Sequence, residues 1–274
     1  MTKTIVITGS TRGIGFGMAA EFLRRGHNVV VNGRRQELTD KAAADLNSRD
    51  FSGAAFAVSA DVAKPDHVES LWSAAMQRFG RVDIWINNAG LINRYRPVGD
   101  LSVIEIAGVV DANVTGTILC SNVAIREMGR QAVIDGLRGA IYNFEGFGSD
   151  GMTRPGMSVY GTTKRAITYF TKSLVKELKG SGVIAGFIQP GIVITDLGLG
   201  EAADQPAAVL RREKKFITMF GDPVEPVAAY IAQHVLDNRV SGARINWLTL
   251  PKLIWRLLTA KLIARDPFTD AGIK

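Results

Sequence analysis

The chain has 274 residues, 46% of them apolar, enough for one large α/β domain with a sizeable core. Its formal charge is +7, from 33 basic and 26 acidic side chains. The cations are spread along the chain rather than gathered in a block, which argues against a nucleic-acid partner. Cys120 is the single cysteine, and His27, His67 and His234 lie far apart. Neither an internal disulfide nor a metal cluster is expected. No secretory leader pattern precedes Thr4-Ile5-Val6-Ile7, and no run of 18 uncharged apolar residues occurs. The expectation is a cytoplasmic protein without a spanning helix.

Strand and helix signals alternate from the start. Thr4–Thr8 reads as a buried strand and Gly9–Gly15 as a glycine-rich turn. Ile14–Arg25 is a helix stopped by Gly26. Asn28–Val31 is the second strand, Gln36–Arg49 a helix, Ala54–Val58 the third strand and Lys64–Phe79 a helix. Asp83–Asn87 is the fourth strand. Ser102–Gly129 holds one long helix or a pair, with Asn113 inside. Gly139–Phe144 is the fifth strand, Val159–Leu178 a strong helix and Val183–Gln189 the sixth strand. Pro226–Leu236 is helical, and Ala243–Leu248 is a candidate last strand. Continuous apolar strands joined by helices predict a three-layer α/β sandwich around a central parallel sheet. Residues 1–250 form one domain in this reading, with a substrate lid at about 197–222.

The tail, 251–274, reads as a basic, apolar helical extension. Leu253, Ile254, Trp255, Leu257, Leu258, Leu262 and Ile263 spread almost all round a helix, with Lys252 and Arg256 on one side and Lys261 and Arg265 nearly opposite. That is not a clean amphipathic pattern. Packing on the body or on another subunit is the plain expectation. A peripheral membrane contact or the wall of an apolar substrate site is the alternative.

Thr8-Gly9-Ser10-Thr11-Arg12-Gly13-Ile14-Gly15 follows a strand and opens a helix. Small residues let the backbone approach a pyrophosphate, and the helix N-terminus offers free N–H groups. In that context the loop predicts a Rossmann-type dinucleotide site. Strand two ends in Val31-Asn32-Gly33-Arg34-Arg35, without the carboxylate that would accept from the ribose hydroxyls of NAD. Arg34, with Arg12 beside it, is suited to a 2'-phosphate, so NADP(H) is the expected cofactor. Asp61 and Val62 are placed to meet the adenine, although Asp61 would also serve as an ordinary cap.

Tyr160 and Lys164 lie one helical turn apart on one face. A carbonyl that accepts hydride needs a proton. A neighbouring ammonium is expected to lower the tyrosine pKa and make the pair a general acid/base.

Taken together, Thr8–Gly15, Asp61-Val62, Asn87-Asn88-Ala89-Gly90, Asn113, Tyr160-Gly-Thr-Thr-Lys164 and Pro190-Gly191 with Thr195 resemble the short-chain dehydrogenase/reductase family. The resemblance implies that Asn88, Ala89 and Gly90 support the sheet beside the cofactor. It implies that Pro190, Gly191, Ile192, Val193 and Thr195 meet the nicotinamide end. Tyr160 and Lys164 would touch the cofactor as well, and Asn113 would continue a proton relay through water. The implied activity is NADPH-dependent reduction of an aldehyde or ketone. A general alcohol dehydrogenase, a 3-oxoacyl reductase and a catalytically weak NADP(H)-binding protein are the alternatives.

One family feature is absent. The serine usual about thirteen residues before the tyrosine falls on Phe147, and a one-residue shift reaches Gly146. Ser149 would substitute if the loop folds inward, whereas Glu145 fits a cap or a local pair better than catalysis. Asn143-Phe-Glu-Gly-Phe-Gly-Ser-Asp-Gly151 resembles the chlorophyll b reductase branch, which also has glycine there. That likeness implies a bulky, apolar carbonyl substrate such as the 7-formyl group of chlorophyll(ide) b. Leu91–Val98, Phe147–Met157 and Leu197–Phe220 would shape the pocket. Family members are usually homodimers or homotetramers, and Ile118, Val123, Phe170 and Leu174 fit either that interface or a monomer core.

Overall fold

Short runs of branched apolar residues form β1 (Thr4–Ile7), β2 (Asn28–Gly33), β3 (Ala55–Ser59), β4 (Ile84–Asn87), β5 (Gly139–Phe144) and β6 (Val183–Gln189). With β9 (Arg244–Asn246) they make a seven-stranded sheet, ordered β3-β2-β1-β4-β5-β6-β9 and parallel throughout. The candidate last strand is therefore β9. The computed structural model describes residues 1–93, 95–195, 216–259 and 267.

Two apolar layers cover the sheet. Helices α1 (Gly13–Arg24), α2 (Gln36–Asn47) and α7 (Val224–Asp237) bury Met18, Phe22, Leu46, Val227 and Ile231 on one face. Helices α3 (Pro65–Phe79), α5 (Gly116–Met128) and α6 (Ser158–Glu177) bury Leu71, Trp72, Cys120, Ala124 and Leu174 on the other. Local chemistry sets several ends. Pro65 opens α3, and Gly80, at φ 75°, closes it. The short α4 (Val103–Val110) starts in a capping box between Ser102 and Glu105, of the kind that contributes about 1 kcal/mol.

The expected long helix is one helical stretch in three pieces. Alpha-helices α4 and α5 are joined by a π turn, Asp111–Thr115, that carries Asn113. By length and composition Val103–Met128 is long and apolar enough to cross a membrane, although Glu105, Asp111, Arg126 and Glu127 interrupt it, so it holds no charge-free run of 18 residues. Cys120, Val123, Ala124 and Met128 nevertheless pack into the core beside β4 and β5. Val123 and Leu174 are buried within the chain's own core, so they are unavailable to a subunit interface. Ile118 is exposed, and Phe170 packs partly against the core.

Only the end of the expected lid is described. Residues 216–220 are helical, and β8 (Gly221–Asp222) pairs in parallel with β7 (Ile192–Val193). Residues 196–215 lie outside the described set, as do 260–274 apart from 267. The described part of the tail is α8 (Leu250–Thr259). Its arginine departs from the expected arrangement. Arg256 is buried and pairs with Asp222, while Leu250, Ile254, Trp255, Leu257 and Leu258 face outward.

Candidate active site

The strand order reverses between β1 and β4, where open parallel sheets hold their ligands. The loop after β1 is fixed from below by side chains. Thr8 Oγ1 accepts from the backbone N–H groups of Asn88 and Ala89, each at 3.0 Å. Asn88 Nδ2 donates to the carbonyls of Thr8 (2.8 Å) and Gly9 (3.0 Å). Ser10 is buried, donates to Ile7 O and accepts from Asn32 N. Asn32 Oδ1 in turn accepts from Gly9 N. Thus Asn32, which the pattern did not single out, ties β2 to the loop.

The loop fits a pyrophosphate. Gly9 has φ 64°, and a Cβ there would stand 2.7 Å from Ala89 Cα, so the chain lies flat on the strand ends. No side chain caps α1, which leaves the N–H groups of its first turn for an anion. A Cβ on Gly33 would meet Thr11 Cγ2 at 2.5 Å. Any side chain at position 33 would therefore press on the side chain of Thr11 in the loop. Arg12 and Arg34 are exposed, and neither has a carboxylate partner among the described residues.

Thr195 Cγ2 lies 3.4 Å from where a Cβ on Gly13 would sit, so the segment after β6 reaches the phosphate loop. Pro190 and Gly191 lead directly from β6 into Ile192 and Val193 of β7. Val62 packs against the start of α5 at Gly116. Asp61 Oδ1 accepts from Ala63 N at 3.0 Å, a local turn bond of the kind its capping alternative describes.

Tyr160 and Lys164 sit in the first two turns of α6. Tyr160 N donates to Asn93 Oδ1 (3.1 Å), and Asn93 Nδ2 donates to Gly156 O (3.0 Å). The loop after β4 thereby fixes the start of α6. Asn93 itself lay unmarked within a segment read only as pocket wall. Asn113 works alongside it. Its Oδ1 accepts from Leu91 N, and its Nδ2 donates to Leu91 O and Thr163 Oγ1. Lys164 Nζ donates to Phe144 O at 3.2 Å and lies 5.7 Å from the centre of the Tyr160 ring. Below, Asn87 is in register with Asn143. Its amide donates to Asn143 and Ser121, and Asn143 donates to Thr171, which locks β4, β5, α5 and α6 together.

The expected lowering of the tyrosine is reversed. Burial pushes the Tyr160 phenol up to about 12 and the Lys164 ammonium down to about 8. Both charged forms lose water, and the ammonium is directed at a backbone carbonyl rather than at the phenol. Tyr160 therefore holds its proton, as a donor to a developing alkoxide must.

The structure also relocates the missing serine. Gly146, not Phe147, faces the tyrosine: a Cβ on Gly146 would stand 2.5 Å from the Tyr160 hydroxyl. Gly148 lies equally close to Gly161. Ser149 does not take over the serine's place. It is buried, accepts from Gly146 N and donates to Lys164 O, so its hydroxyl pins the loop to α6.

Glu145 pairs rather than caps, but with distant residues. Its buried carboxylate accepts from Thr168 (2.8 Å) and faces Arg244 of β9 (3.0 Å). Its charge raises the Lys164 pKa, against the larger effect of burial. No sequence spacing links these three residues, because α6 and β9 come near the end of β5 only once the sheet is assembled.

A parallel sheet of this order, a glycine loop at its first crossover and a tyrosine–lysine pair beyond its strand ends define an NAD(P)H-dependent oxidoreductase. Residues 3–205 match the family described as short chain dehydrogenase, and the chain belongs to it. It is related to the chlorophyll b reductases. A probable chlorophyll(ide) b reductase NYC1 of Oryza sativa subsp. japonica is 33% identical over 285 residues, covering 98% of this chain and 54% of that protein. Chlorophyll(ide) b reductase NOL of Arabidopsis thaliana is 35% identical, covering 87% of this chain and 67% of that protein. The chain spans about half the length of the NYC1 relatives. Its fold is also that of a gluconate 5-dehydrogenase from Burkholderia cenocepacia J2315, solved with NADP and tartrate. The TM-score is 0.72 at 24% identity, over 88% of this chain and 92% of that one.

Proposed function

We propose that this chain uses NADPH to reduce the carbonyl of a bulky, apolar substrate, with the formyl group of chlorophyll(ide) b as the leading candidate. The observation that carries the proposal is the Tyr160–Lys164 turn, half-buried at the tyrosine and buried at the lysine, packed against a glycine at the serine position. The same glycine is what the resemblance to chlorophyll b reductases implies, and relatives so named share a third of their residues with this chain.

When bound, the cofactor supplies the hydride. Gly9–Gly15 and the α1 N-terminus hold its pyrophosphate, and Arg34 with Arg12 pairs its 2'-phosphate. Asp61 and Val62 border the adenine. Asn88, Ala89, Gly90, Pro190, Gly191, Ile192, Val193 and Thr195 border the nicotinamide half. Tyr160 delivers its proton to the substrate oxygen. Lys164 binds the ribose and stabilises the phenolate left behind. Asn113 positions the route by which that phenolate regains a proton, because its amide holds Leu91 and Thr163 in place. The loops 91–98 and 147–157 form the substrate walls, held to each other by Asn93 and by Tyr95 beneath Arg154. Exposed Val103, Ile104 and Tyr169, with Ile118, supply an apolar face for a homodimer or homotetramer.

The test is NADPH oxidation by the pure protein with chlorophyllide b and with simple aldehydes. Tyr160→Phe is expected to cut the rate on the accepted carbonyl by about 10²- to 10⁴-fold. Turnover of small or thioester-linked ketones alone would move the assignment to a 3-oxoacyl reductase type. Unchanged turnover in the Tyr160→Phe variant would remove the proposed mechanism.

A further inference from the structure

Helix α8 is turned inside out relative to an ordinary surface helix. Its buried side carries Arg256, whose Nη2 bonds both carboxylate oxygens of Asp222 (2.7 and 2.8 Å) and whose Nη1 donates to Phe220 O (2.8 Å). Trp247 Nε1 donates to the same carboxylate, and the ammonium of Lys252 lies 3.1 Å from the centre of the Trp247 ring. The outer side is apolar. Leu257, Leu250, Ile254, Leu258 and Trp255 follow one another round the helix within an arc of about 160° at 100° per residue. They are 53%, 69%, 48%, 75% and 54% exposed. Rolling the helix to hide them would strip a buried carboxylate of its cation, so the clamp holds the apolar face outward.

The charge of the segment that carries this face selects its partner. Between Asp237 and Asp266 the sequence has no acidic residue and six basic ones; Arg244 and Arg256 pair with Glu145 and Asp222, which leaves the charges of Arg239, Lys252, Lys261 and Arg265 in a segment with no acid of its own. Two copies facing each other here would bring like charges together. An anionic lipid surface would accept both the apolar arc and the remaining cations of the segment, with the Trp255 indole at the headgroup boundary.

We infer that α8 docks this protein on an anionic membrane surface, lying in the interface plane with Ile254, Trp255 and Leu258 among the acyl chains. The inference does not depend on which carbonyl is reduced.

The experiment is cosedimentation of the full-length protein with vesicles of phosphatidylcholine, with and without phosphatidylglycerol. The parent is expected to bind the anionic vesicles, with a blue shift of Trp emission that Trp255→Phe abolishes. The double variant Ile254→Glu/Leu258→Glu alters exposed positions only. It is expected to keep the parent melting curve and NADPH affinity while binding at least about tenfold more weakly. Failure of the parent to bind anionic vesicles would overturn the inference, as would equal binding by the double variant. A parent dimer that the double variant dissociates, without vesicle binding by either, would assign the face to a second copy instead.

Discussion

Restoring the family's serine at position 146 is expected to harm this enzyme. A Cβ there lies 2.5 Å from the Tyr160 hydroxyl and 3.3 and 3.4 Å from Lys164 Cγ and Cε. Ordinary contact needs about 3.5 Å, so the hydroxyl must retreat by about 1 Å. For stability this is modest, because the hydroxyl is the far end of a side chain. Overpacking of about 1 kcal/mol would lower the Tm by roughly 2–4 °C. For catalysis it is severe, because the hydroxyl is the proton donor, and a 1 Å misplacement costs up to about 10²-fold. Gly146→Ala and Gly146→Ser should therefore lower kcat by about 10- to 100-fold. The KM for NADPH should change less than kcat, since position 146 presses on Lys164 far more gently than on the Tyr160 hydroxyl. The serine variant should outperform the alanine one, because its hydroxyl adds a donor to the substrate oxygen. Steady-state NADPH oxidation and thermal melts together decide the matter. A Gly146→Ser enzyme as fast as the parent would refute the placement of the Tyr160 hydroxyl against residue 146.

Further outcomes follow from the charges. Reduction should fall as pH rises through about 8, where Lys164 loses its proton. Glu145→Gln removes the charge that raises this pKa and should move the alkaline limb to lower pH, with Glu145→Asp restoring part of it; an unmoved pH–rate profile would show that Glu145 is merely structural. In stability Lys164 and Tyr160 act with opposite signs. The Lys164 contribution grows as pH rises from about 8 toward its ordinary 10.5, because the unfolded chain then holds more protons. The Tyr160 contribution is lost on the rise from its ordinary 10.0 to about 12, where the unfolded phenol ionises first. Arg34→Ala should raise the KM for NADPH about tenfold or more while leaving that for NADH nearly unchanged, the loss of one or two charge-assisted bonds. Equal losses with both cofactors would mean that Arg34 does not read the 2'-phosphate.

Much of the fold was legible because its signals are local. Val and Ile runs, glycine stops and helical spacing placed β5 and β6 residue for residue, and α1, α3 and α6 to within one position at each end. The phosphate loop and the Tyr160–Lys164 turn were legible for the same reason, since each lies within one short segment. Asn32, Asn93 and Glu145 were not. Their partners stand 22 to 99 residues away, and only the sheet order brings them together. Which side of the tail helix meets the body was not legible, because a helical wheel shows which residues share a side but not which side is covered. Asp222 settled that by taking Arg256 inward.

By itself, the sequence determined the chemistry carried on contiguous residues: a dinucleotide loop without a discriminating acid, and a tyrosine one turn before a lysine. Tertiary structure alone decided their electrostatic state and their neighbours. It buried Lys164 and half-buried Tyr160, and desolvation dominates the protonation state of both. It set Gly146, rather than Phe147, against the reacting hydroxyl. The reason is physical: periodicity reports what a backbone does over a few turns, whereas burial and close approach depend on segments that meet only when the sheet is assembled.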